Sequence, residues 1–296
     1  MNSNRLKDLI KNQNKNMSFE EYRIRYAIER FLSRLQISQY KENLILKGGF
    51  LLGTIFNIEQ RTTKDLDTLI SEIKADKDQI ENVLLTIIEI DLNDNVKFEL
   101  ISFEYSQMHR IYDGFKAQFK MTFLDERTFI IFDLDLGVGD TITPEVQLIE
   151  IPLLFNEAKG EQDNLLLLCY PIATILAEKI ETILTLGTKN SRMKDFYDIH
   201  LILNDPQKPN INELYEAFQN TWIFRHPTLE INEERFEDWY YVVDSILEDV
   251  QMSTSSWINY TKDRIYAQDL DFQKIILQLK QHLTELEIIY RRRTDI

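Results

Sequence analysis

The chain has little of what stabilises small secreted domains or cysteine-rich metal modules. Its 296 residues include one cysteine, Cys169, and four histidines. A single cysteine excludes a disulfide framework and a cysteine-rich zinc module, and it favours a reducing compartment. The histidines show no metal-ligand spacing with each other or with Cys169; they are His109, His200, His226 and His282.

Long hydrophobic runs and an excess of positive charge are also lacking. No apolar run approaches the roughly 20 residues that span a bilayer, and the first residues contain no hydrophobic signal core. We therefore expect a cytoplasmic protein without membrane contact. Lys and Arg number 34 against 49 Asp and Glu, a formal charge of −15, so any contact with nucleic acid must be local.

The N-terminal region is the basic end of the chain and predicts a helix. Ser18-Phe19-Glu20-Glu21 has the form of a capping box, which marks a helix start. The apolar positions that follow recur at helical spacing, whereas the arginines lie mostly off that stripe. We interpret the arginines as a solvated basic face of a packing helix; they are Arg23, Arg25, Arg30 and Arg34.

Between about residues 43 and 140, short apolar segments separated by turn residues predict a mixed sheet with helices. One helix is expected near Lys77–Ile90. The last two strands flank Asp125-Glu126-Arg127, a loop short enough for a hairpin. The candidate strands are Leu44–Lys47, Asp65–Ile70, Val96–Phe103, Phe115–Phe123 and Thr128–Leu136.

Beyond a polar segment that ends at Asn164, nearly every periodic stretch indicates a helix. We place the domain boundary near residue 160, with a helical extension over 1–42, a core over 43–160 and a helical domain over 161–296. The helices are expected at about Ile172–Leu186, Met193–Leu203, Ile211–Trp222, Glu233–Val250 and Phe272–Arg291.

The first candidate site motif is Lys47-Gly48-Gly49, where a strand ends and a helix opens. Glycine has no Cβ and a helix N-terminus favours an anion, so backbone amides at this point are suited to approach a phosphate. A Gly-Gly pair is also common in plain turns, and the motif alone does not separate the two readings.

Two acidic strands follow. Asp65 and Asp67 project from one face of a strand, and two convergent carboxylates suit Mg²⁺ bound together with a nucleoside triphosphate. Asp133 and Asp135 repeat this spacing inside a strongly apolar strand. Three aspartates from two neighbouring strands suit a two-metal phosphoryl-transfer site. The alternative is that these aspartates face solvent at a strand edge or on a one-sided sheet.

A third constellation is helical and lies later in the chain. Asp195 and Asp198 are three residues apart and share a helix face, which Lys179 is placed to reach from the preceding helix. The pattern fits either a salt-bridged helix pair or a lysine that binds a nucleotide phosphate, with Asp198 as its orienting partner or as a site residue.

These motifs appear in a specific order between about Leu44 and Leu203. They are Lys47-Gly48-Gly49, Arg61-x-Thr63-x-Asp65-Leu66-Asp67, Leu134-Asp135 through Gly139-Asp140, Ala177-Glu178-Lys179 and Asn190 through Asp198. In this order they closely resemble the nucleotidyltransferase AbiEii/AbiGii toxin family, the toxin half of abortive-infection (type IV) toxin–antitoxin systems. The resemblance implies an α/β (α+β) fold, with a DNA polymerase β-like nucleotidyltransferase core on a mixed sheet and a C-terminal helical domain.

The resemblance also implies roles for single residues. Asp65 and Asp67 correspond to the metal-binding pair, and Asp135 rather than Asp133 corresponds to the third carboxylate. The catalytic candidates are these three aspartates together with Lys179 and Asp198. The nucleotide-binding candidates are Lys47, Gly48, Gly49, Arg61, Lys179, Arg192 and Asp195. The superfamily commonly has serine where this chain has Gly49, so backbone amides must contact the phosphate here.

The activity implied is that of a nucleotidyltransferase toxin that uses Mg²⁺ or Mn²⁺ and a nucleoside triphosphate. The expected acceptor is the 3′ end of tRNA, and the expected partner is a cognate antitoxin, such as a winged-helix AbiEi-like protein. Two alternatives stay open: an enzyme that transfers a nucleotide to a protein hydroxyl, and an inactive nucleotide-binding component. A basic surface from Lys189, Arg192, Lys194 and the arginine-rich N-terminal helix would reconcile an RNA acceptor with the negative net charge.

Overall fold

The computed structural model describes residues 1–13, 17–58, 65–106, 114–124, 128–155 and 164–294. In these ranges the chain forms two compact units. One unit contains Met1–Asp140 and Val146–Cys169, and the other contains Thr141–Glu145 and Tyr170–Ile296. The expected boundary near residue 160 falls in a range outside the described residues.

The first unit is built on a sheet of seven strands within the described ranges, in the order β3-β4-β5-β2-β1-β7-β6. Strands β2 and β5 are parallel, as are β1 and β7, and the other neighbours are antiparallel. The expected mixed sheet is therefore confirmed. The strands are β1 Leu44–Lys47, β2 Asp65–Ile70, β3 Val96–Tyr105, β4 Gly114–Phe123, β5 Phe129–Val138, β6 Gln147–Pro152 and β7 Asn164–Cys169.

The β4–β5 hairpin is confirmed by its antiparallel register, although its loop residues 125–127 lie outside the described part of the chain. Strands β6 and β7 were not predicted. The leucines of Leu165–Leu168 give no alternation of apolar and polar residues, and β6 ends in Pro152, so neither strand carries a clear period of two.

Four helices of the first unit appear in the described ranges: α1 Ser3–Lys11, α2 Phe19–Ile37, α3 Gly48–Ile55 and α4 Lys77–Ile88. The capping box at the start of α2 is confirmed, because Ser18 and Glu21 exchange backbone-to-side-chain hydrogen bonds of 2.6 and 3.2 Å. Helix α2 packs on β5 and β7. Its Phe31 ring lies 5.2 Å from the Phe119 ring and 6.0 Å from the Phe132 ring, between centroids.

The interpretation of the α2 arginines as a solvated face is wrong. Arg30 and Arg34 are 2% and 1% exposed. Arg34 donates two hydrogen bonds, of 2.9 and 2.8 Å, to the carboxylate of Asp94, and Arg25 donates one of 2.7 Å to Glu29. Arginine tolerates such burial because its apolar stem packs in the core while its planar guanidinium pairs with a carboxylate.

The second unit is helical in the described residues, and the five helices expected here are confirmed, with ends that differ by up to three residues. Its α-helices are α5 Ile172–Leu186, α6 Met193–Asn204, α7 Ile211–Arg225, α8 Glu233–Glu248, α9 Trp257–Thr261 and α10 Phe272–Thr294. Trp239 of α8 packs against Trp222 and Phe218 of α7, with ring centroids 4.7 and 5.1 Å apart. Each helix in the described ranges is too short or too polar to pass through a lipid bilayer.

A buried ion cluster joins α5 to the end of α7. The two carboxylate oxygens of Glu181 lie 2.5 Å from Arg225 Nη1 and 2.8 Å from His226 Nε2. Burial acts to raise the pKa of Glu181, but the hydrogen bond with His226 and the charge of Arg225 outweigh it and lower that pKa to about 2. The ionised form of Glu181 is therefore strongly favoured in the folded protein.

The variant Glu181→Gln should lower the free energy of unfolding at pH 7 by roughly 3 kcal/mol. Because the folded pKa is depressed to about 2, this contribution is present above the unfolded value of 4.5 and is lost as the pH falls toward 2. Thermal unfolding at pH 7, 4 and 3 should show the difference between wild type and variant shrinking.

Glu216→Gln is the matched control, since Glu216 of α7 pairs with Arg293 on the surface and is 54% exposed. It should change stability by less than about 1 kcal/mol at any of these pH values. A Glu181→Gln effect that is independent of pH would contradict the assigned role of the charge.

Candidate active site

Four carboxylates share one face of the sheet in the first unit. In the parallel register of β2 and β5, Asp65 lies opposite Asp133 and Asp67 lies opposite Asp135. Side chains alternate along a strand, so residues two apart in adjacent strands project from the same side. All four are partly exposed. The acidic pairs that the sequence places 68 residues apart thus lie side by side.

The glycine turn follows β1, which pairs with the edge of β2 that is opposite β5. Lys47 at the end of β1 is opposite Asp67, and α3 begins at the next residue. The Gly49 N–H donates to Asp67 Oδ2 over 3.4 Å. Gly48 has a φ of +70°, and a Cβ built there would lie 2.1 Å from Asp67 Oδ2. Glycine is required at position 48 both for the backbone conformation and for the close approach of Asp67.

The lysine of the glycine turn also forms an ion pair. Lys47 Nζ binds the carboxylate of Asp140, which follows β5. Gly137 of β5 lies directly beside the pair, and a Cβ at that position would be 3.3 Å from both Lys47 Nζ and Asp140 Oδ2. The nucleotide-binding candidate Lys47 is therefore held at the glycine turn by the last residue of the Leu134-to-Asp140 motif.

Asp133 and Asp135 differ in their surroundings although they share a strand and a face. Lys116 Nζ lies 2.8 Å from Asp133 Oδ2, and Gln118 Nε2 donates to Asp133 Oδ1 over 2.9 Å. Burial acts to raise the pKa of Asp133, but these two contacts outweigh it and leave that pKa below its usual value. Asp133 is thus engaged by β4.

Asp135 instead faces the other carboxylates. Burial and the negative charge of Asp67 raise the pKa of Asp135 to about 6, with a smaller contribution from Asp65. Such crowding of like charge is relieved by a bound cation. As the side chains stand, no three His, Cys, Asp or Glu residues in the described ranges are arranged to hold a metal ion. Asp67 is turned to the Gly49 amide, but the oxygen-only donor set fits Mg²⁺ or Mn²⁺.

The second unit contains a separate buried cluster. Lys179 Nζ on α5 lies 2.9 Å from Asp195 Oδ1 and 2.7 Å from Asp198 Oδ2 on α6. Both aspartates have no exposed surface. Arg192 Nε lies 2.8 Å from Asp195 Oδ2. Burial acts to raise the pKa of Asp195, but the charges of Lys179 and Arg192 outweigh it and lower that pKa.

The described structure thus brings the site candidates into two groups. The first unit gathers Lys47, Gly48, Gly49, Asp65, Asp67 and Asp135, and the second gathers Lys179, Arg192, Asp195 and Asp198. Arg61 lies outside the described residues. Lys116 and Gln118 are not predicted as site residues, because their only signal in the sequence is their position in a hairpin strand beside the acidic strand.

Gly48→Ala should cost stability and displace Asp67. Gly187→Ala is the matched control, because Gly187 also has a positive φ, of +54°, but a Cβ there would make an ordinary 3.5 Å contact with Val242. Both variants should lose about 1–3 kcal/mol to backbone strain, measured by thermal unfolding. Only Gly48→Ala should turn the Asp67 carboxylate away from Gly49, as seen in a crystal structure. An unmoved Asp67 would contradict this packing.

Two solved structures of proteins from Helicobacter pylori are similar to this chain. A protein described as a nucleotidyltransferase shares 14% sequence identity with this chain, with a TM-score of 0.50 over 93% of this chain and 98% of that one. The protein JHP933 shares 13% identity, with a TM-score of 0.49 over 94% and 97% of the two chains. At this identity the first likeness establishes the fold alone. A comparison with curated proteins found no match.

A family model matches most of the chain. Residues 30–275 match the family described as nucleotidyl transferase AbiEii toxin, type IV TA system. This range includes both acidic strands, the glycine turn and the Lys179 cluster. The chain belongs to the AbiEii family of nucleotidyltransferase toxins from type IV toxin–antitoxin systems.

Proposed function

We propose that this protein transfers a nucleoside monophosphate from a nucleoside triphosphate to a hydroxyl group, with the 3′ end of tRNA as acceptor. The reaction would depend on Mg²⁺ or Mn²⁺. The observation that carries the proposal is the register of β2 and β5, which sets Asp67 beside Asp135 and next to the glycine turn.

Asp65, Asp67 and Asp135 are the residues that would hold the metal. When bound, a divalent ion at these carboxylates would supply positive charge to the triphosphate and favour ionisation of the acceptor hydroxyl. The proposal excludes Asp133 from this set because both of its oxygens are engaged by Lys116 and Gln118.

The glycine turn and Lys47 would bind phosphate. The first amides of α3 have no partner within the helix, and the helix N-terminus favours an anion. Asp140 holds the Lys47 ammonium beside this turn. Together they would orient the triphosphate through backbone amides and one cation, without the hydroxyl that a serine at position 49 would provide.

Lys179 is the nucleotide-contacting lysine in this proposal, as the family resemblance implies. Its ammonium is fixed by two fully buried carboxylates, so Asp195 and Asp198 act in this proposal as positioning residues. Arg192 is paired with Asp195 and remains partly exposed. Preorganised charge of this kind stabilises a transition state without reorganisation during the reaction.

The arginines of α2 cannot supply the basic surface that was expected for an RNA acceptor, because most of them are buried or largely covered. Arg25, Arg30 and Arg34 are buried or largely covered, so they do not form an open phosphate-binding face. Lys189, in the turn before α6, and Lys194, in the first turn of α6, are exposed. We propose that these two lysines, with Arg192, contact the RNA backbone.

The family context suggests the biological role. We propose that the transferase acts as the toxin of an abortive-infection system and that a cognate antitoxin, such as a winged-helix AbiEi-like protein, counteracts it. Transfer to a protein hydroxyl and nucleotide binding without catalysis are the alternatives that the following assay separates.

Purified protein with each α-³²P-labelled nucleoside triphosphate, Mg²⁺ and total tRNA should label the tRNA. Asp67→Asn and Asp135→Asn should each reduce labelling by at least about 100-fold, because each removes charge from the reacting centre. Asp133→Asn is the matched comparison on the same strand and should lose at most about tenfold.

The other outcomes of this assay separate the alternatives. Label on protein in an RNase-treated lysate, with tRNA unlabelled, would make a protein hydroxyl the acceptor. An absence of label with every nucleotide and acceptor would contradict the transferase and favour a nucleotide-binding component.

Binding of tRNA should depend on salt through Lys189 and Lys194. Lys189→Gln and Lys194→Gln should each lower the slope of log affinity against log salt by about 1. Lys208→Gln, an exposed lysine beyond the far end of α6, is the control and should leave the slope unchanged. Equal slopes for all variants would remove this surface from the RNA interface.

A further inference from the structure

The carboxylate face presents four aspartates, yet Asp133 and Asp135 cannot have the same role. They lie two residues apart on β5 and project from the same face. Their spacing in the sequence therefore does not distinguish Asp133 from Asp135. The difference between them comes from the neighbouring strand β4.

Strand β4 supplies two polar side chains to this face. In the antiparallel register, Lys116 lies opposite Asp135 and Gln118 lies opposite Asp133. Lys116 nevertheless reaches diagonally to Asp133, with its Nζ 2.8 Å from Oδ2, while Gln118 binds Oδ1 over 2.9 Å. Diagonal neighbours on a sheet are within reach of long side chains. Both oxygens of Asp133 are thus bound by side chains of β4.

The Lys116 ammonium also sits within electrostatic range of Asp135 and Asp65. It is a cation of the protein placed at the margin of the carboxylate face. Its position fixes which carboxylate is neutralised by the protein and which remain for an external cation.

We propose that Lys116, with Gln118, is a positioning residue that sequesters Asp133 and so limits the metal-binding set to Asp65, Asp67 and Asp135. This inference rests on the proposed function. Without Lys116, Asp133 is released toward the other carboxylates and the face gains one uncompensated negative charge. Divalent cations then bind more tightly, and the anionic nucleoside triphosphate binds more weakly.

Lys120 provides the matched control. It lies on the same strand and the same face, four residues from Lys116, and pairs with Glu99 of β3 over 3.0 Å. Lys120→Met therefore removes the same charge and a similar ion pair at a position away from the four aspartates.

The experiment is a titration with Mn²⁺ in the absence of nucleotide, with free Mn²⁺ followed by electron paramagnetic resonance. Lys116→Met should bind Mn²⁺ about tenfold more tightly than wild type, and Lys120→Met should bind it like wild type. Asp133→Asn should bind more weakly, because Lys116 then competes for Asp135. The double variant Lys116→Met/Asp133→Asn should return toward wild-type affinity.

A metal-free measurement tests the pair by itself. In buffer with chelator, Lys116→Met should lower the melting temperature, and Asp133→Asn in that background should restore it. A double variant without this restoration would overturn the coupling between Lys116 and Asp133.

The outcomes also distinguish this inference from the proposed function. Wild-type protein that binds no more Mn²⁺ than Asp67→Asn would contradict the proposed metal site, and with it the selection of Asp135. Wild-type binding that depends on Asp67, together with unchanged or weaker binding in Lys116→Met, would overturn only the role of Lys116.

Discussion

The parallel register between β2 and β5 is the constraint on which the candidate active site depends. It aligns Asp65 with Asp133 and Asp67 with Asp135, so that two short acidic motifs become one carboxylate face. The register is in turn held by apolar residues on the opposite face, including Leu66 and Leu134, which are fully buried. A slip of one residue would expose those leucines and bury the aspartates, so core packing and site geometry require the same alignment.

Concentrating carboxylates in this way is unfavourable unless neighbouring groups compensate for the charge. The protein places one cation at each side of the face: Lys47 is held by Asp140, and Lys116 is held by Asp133. Between them Asp67 turns to a backbone amide and Asp135 keeps a raised pKa. Burial and the negative charge of Asp67 cause that raised pKa, and a divalent ion at these carboxylates would relieve the crowding of like charge.

In the second unit, buried ion pairs hold a lysine side chain and a helix in place. Two unexposed carboxylates fix the ammonium of Lys179, while Glu181, two residues later on α5, anchors the helix to Arg225 and His226. A lysine held this way has lost its conformational freedom before any ligand binds. The role proposed for Lys179 relies on this rigidity.

Local sequence patterns are enough to predict most elements of the fold and the chemistry of the motifs. The capping box located the start of α2, short apolar segments between turn residues located β1 to β5, and the ordered motifs identified the family that the comparison confirmed. Strand β7 was not predicted, because periodicity does not distinguish a strand that is apolar throughout from a buried helix segment. The arginines of α2 were misjudged because helical periodicity describes one stripe, whereas this helix is covered on several sides.

Which side chains come into contact depends on the tertiary structure. The length of the β4–β5 loop predicts a hairpin but not its register, and a shift of one residue would place Ala117 rather than Lys116 opposite Asp135. The contacts that Lys116 and Gln118 make with Asp133 depend on that register. Local sequence encodes which face a side chain takes, but the neighbour it finds there depends on strand order and alignment, which are set by packing of the whole sheet.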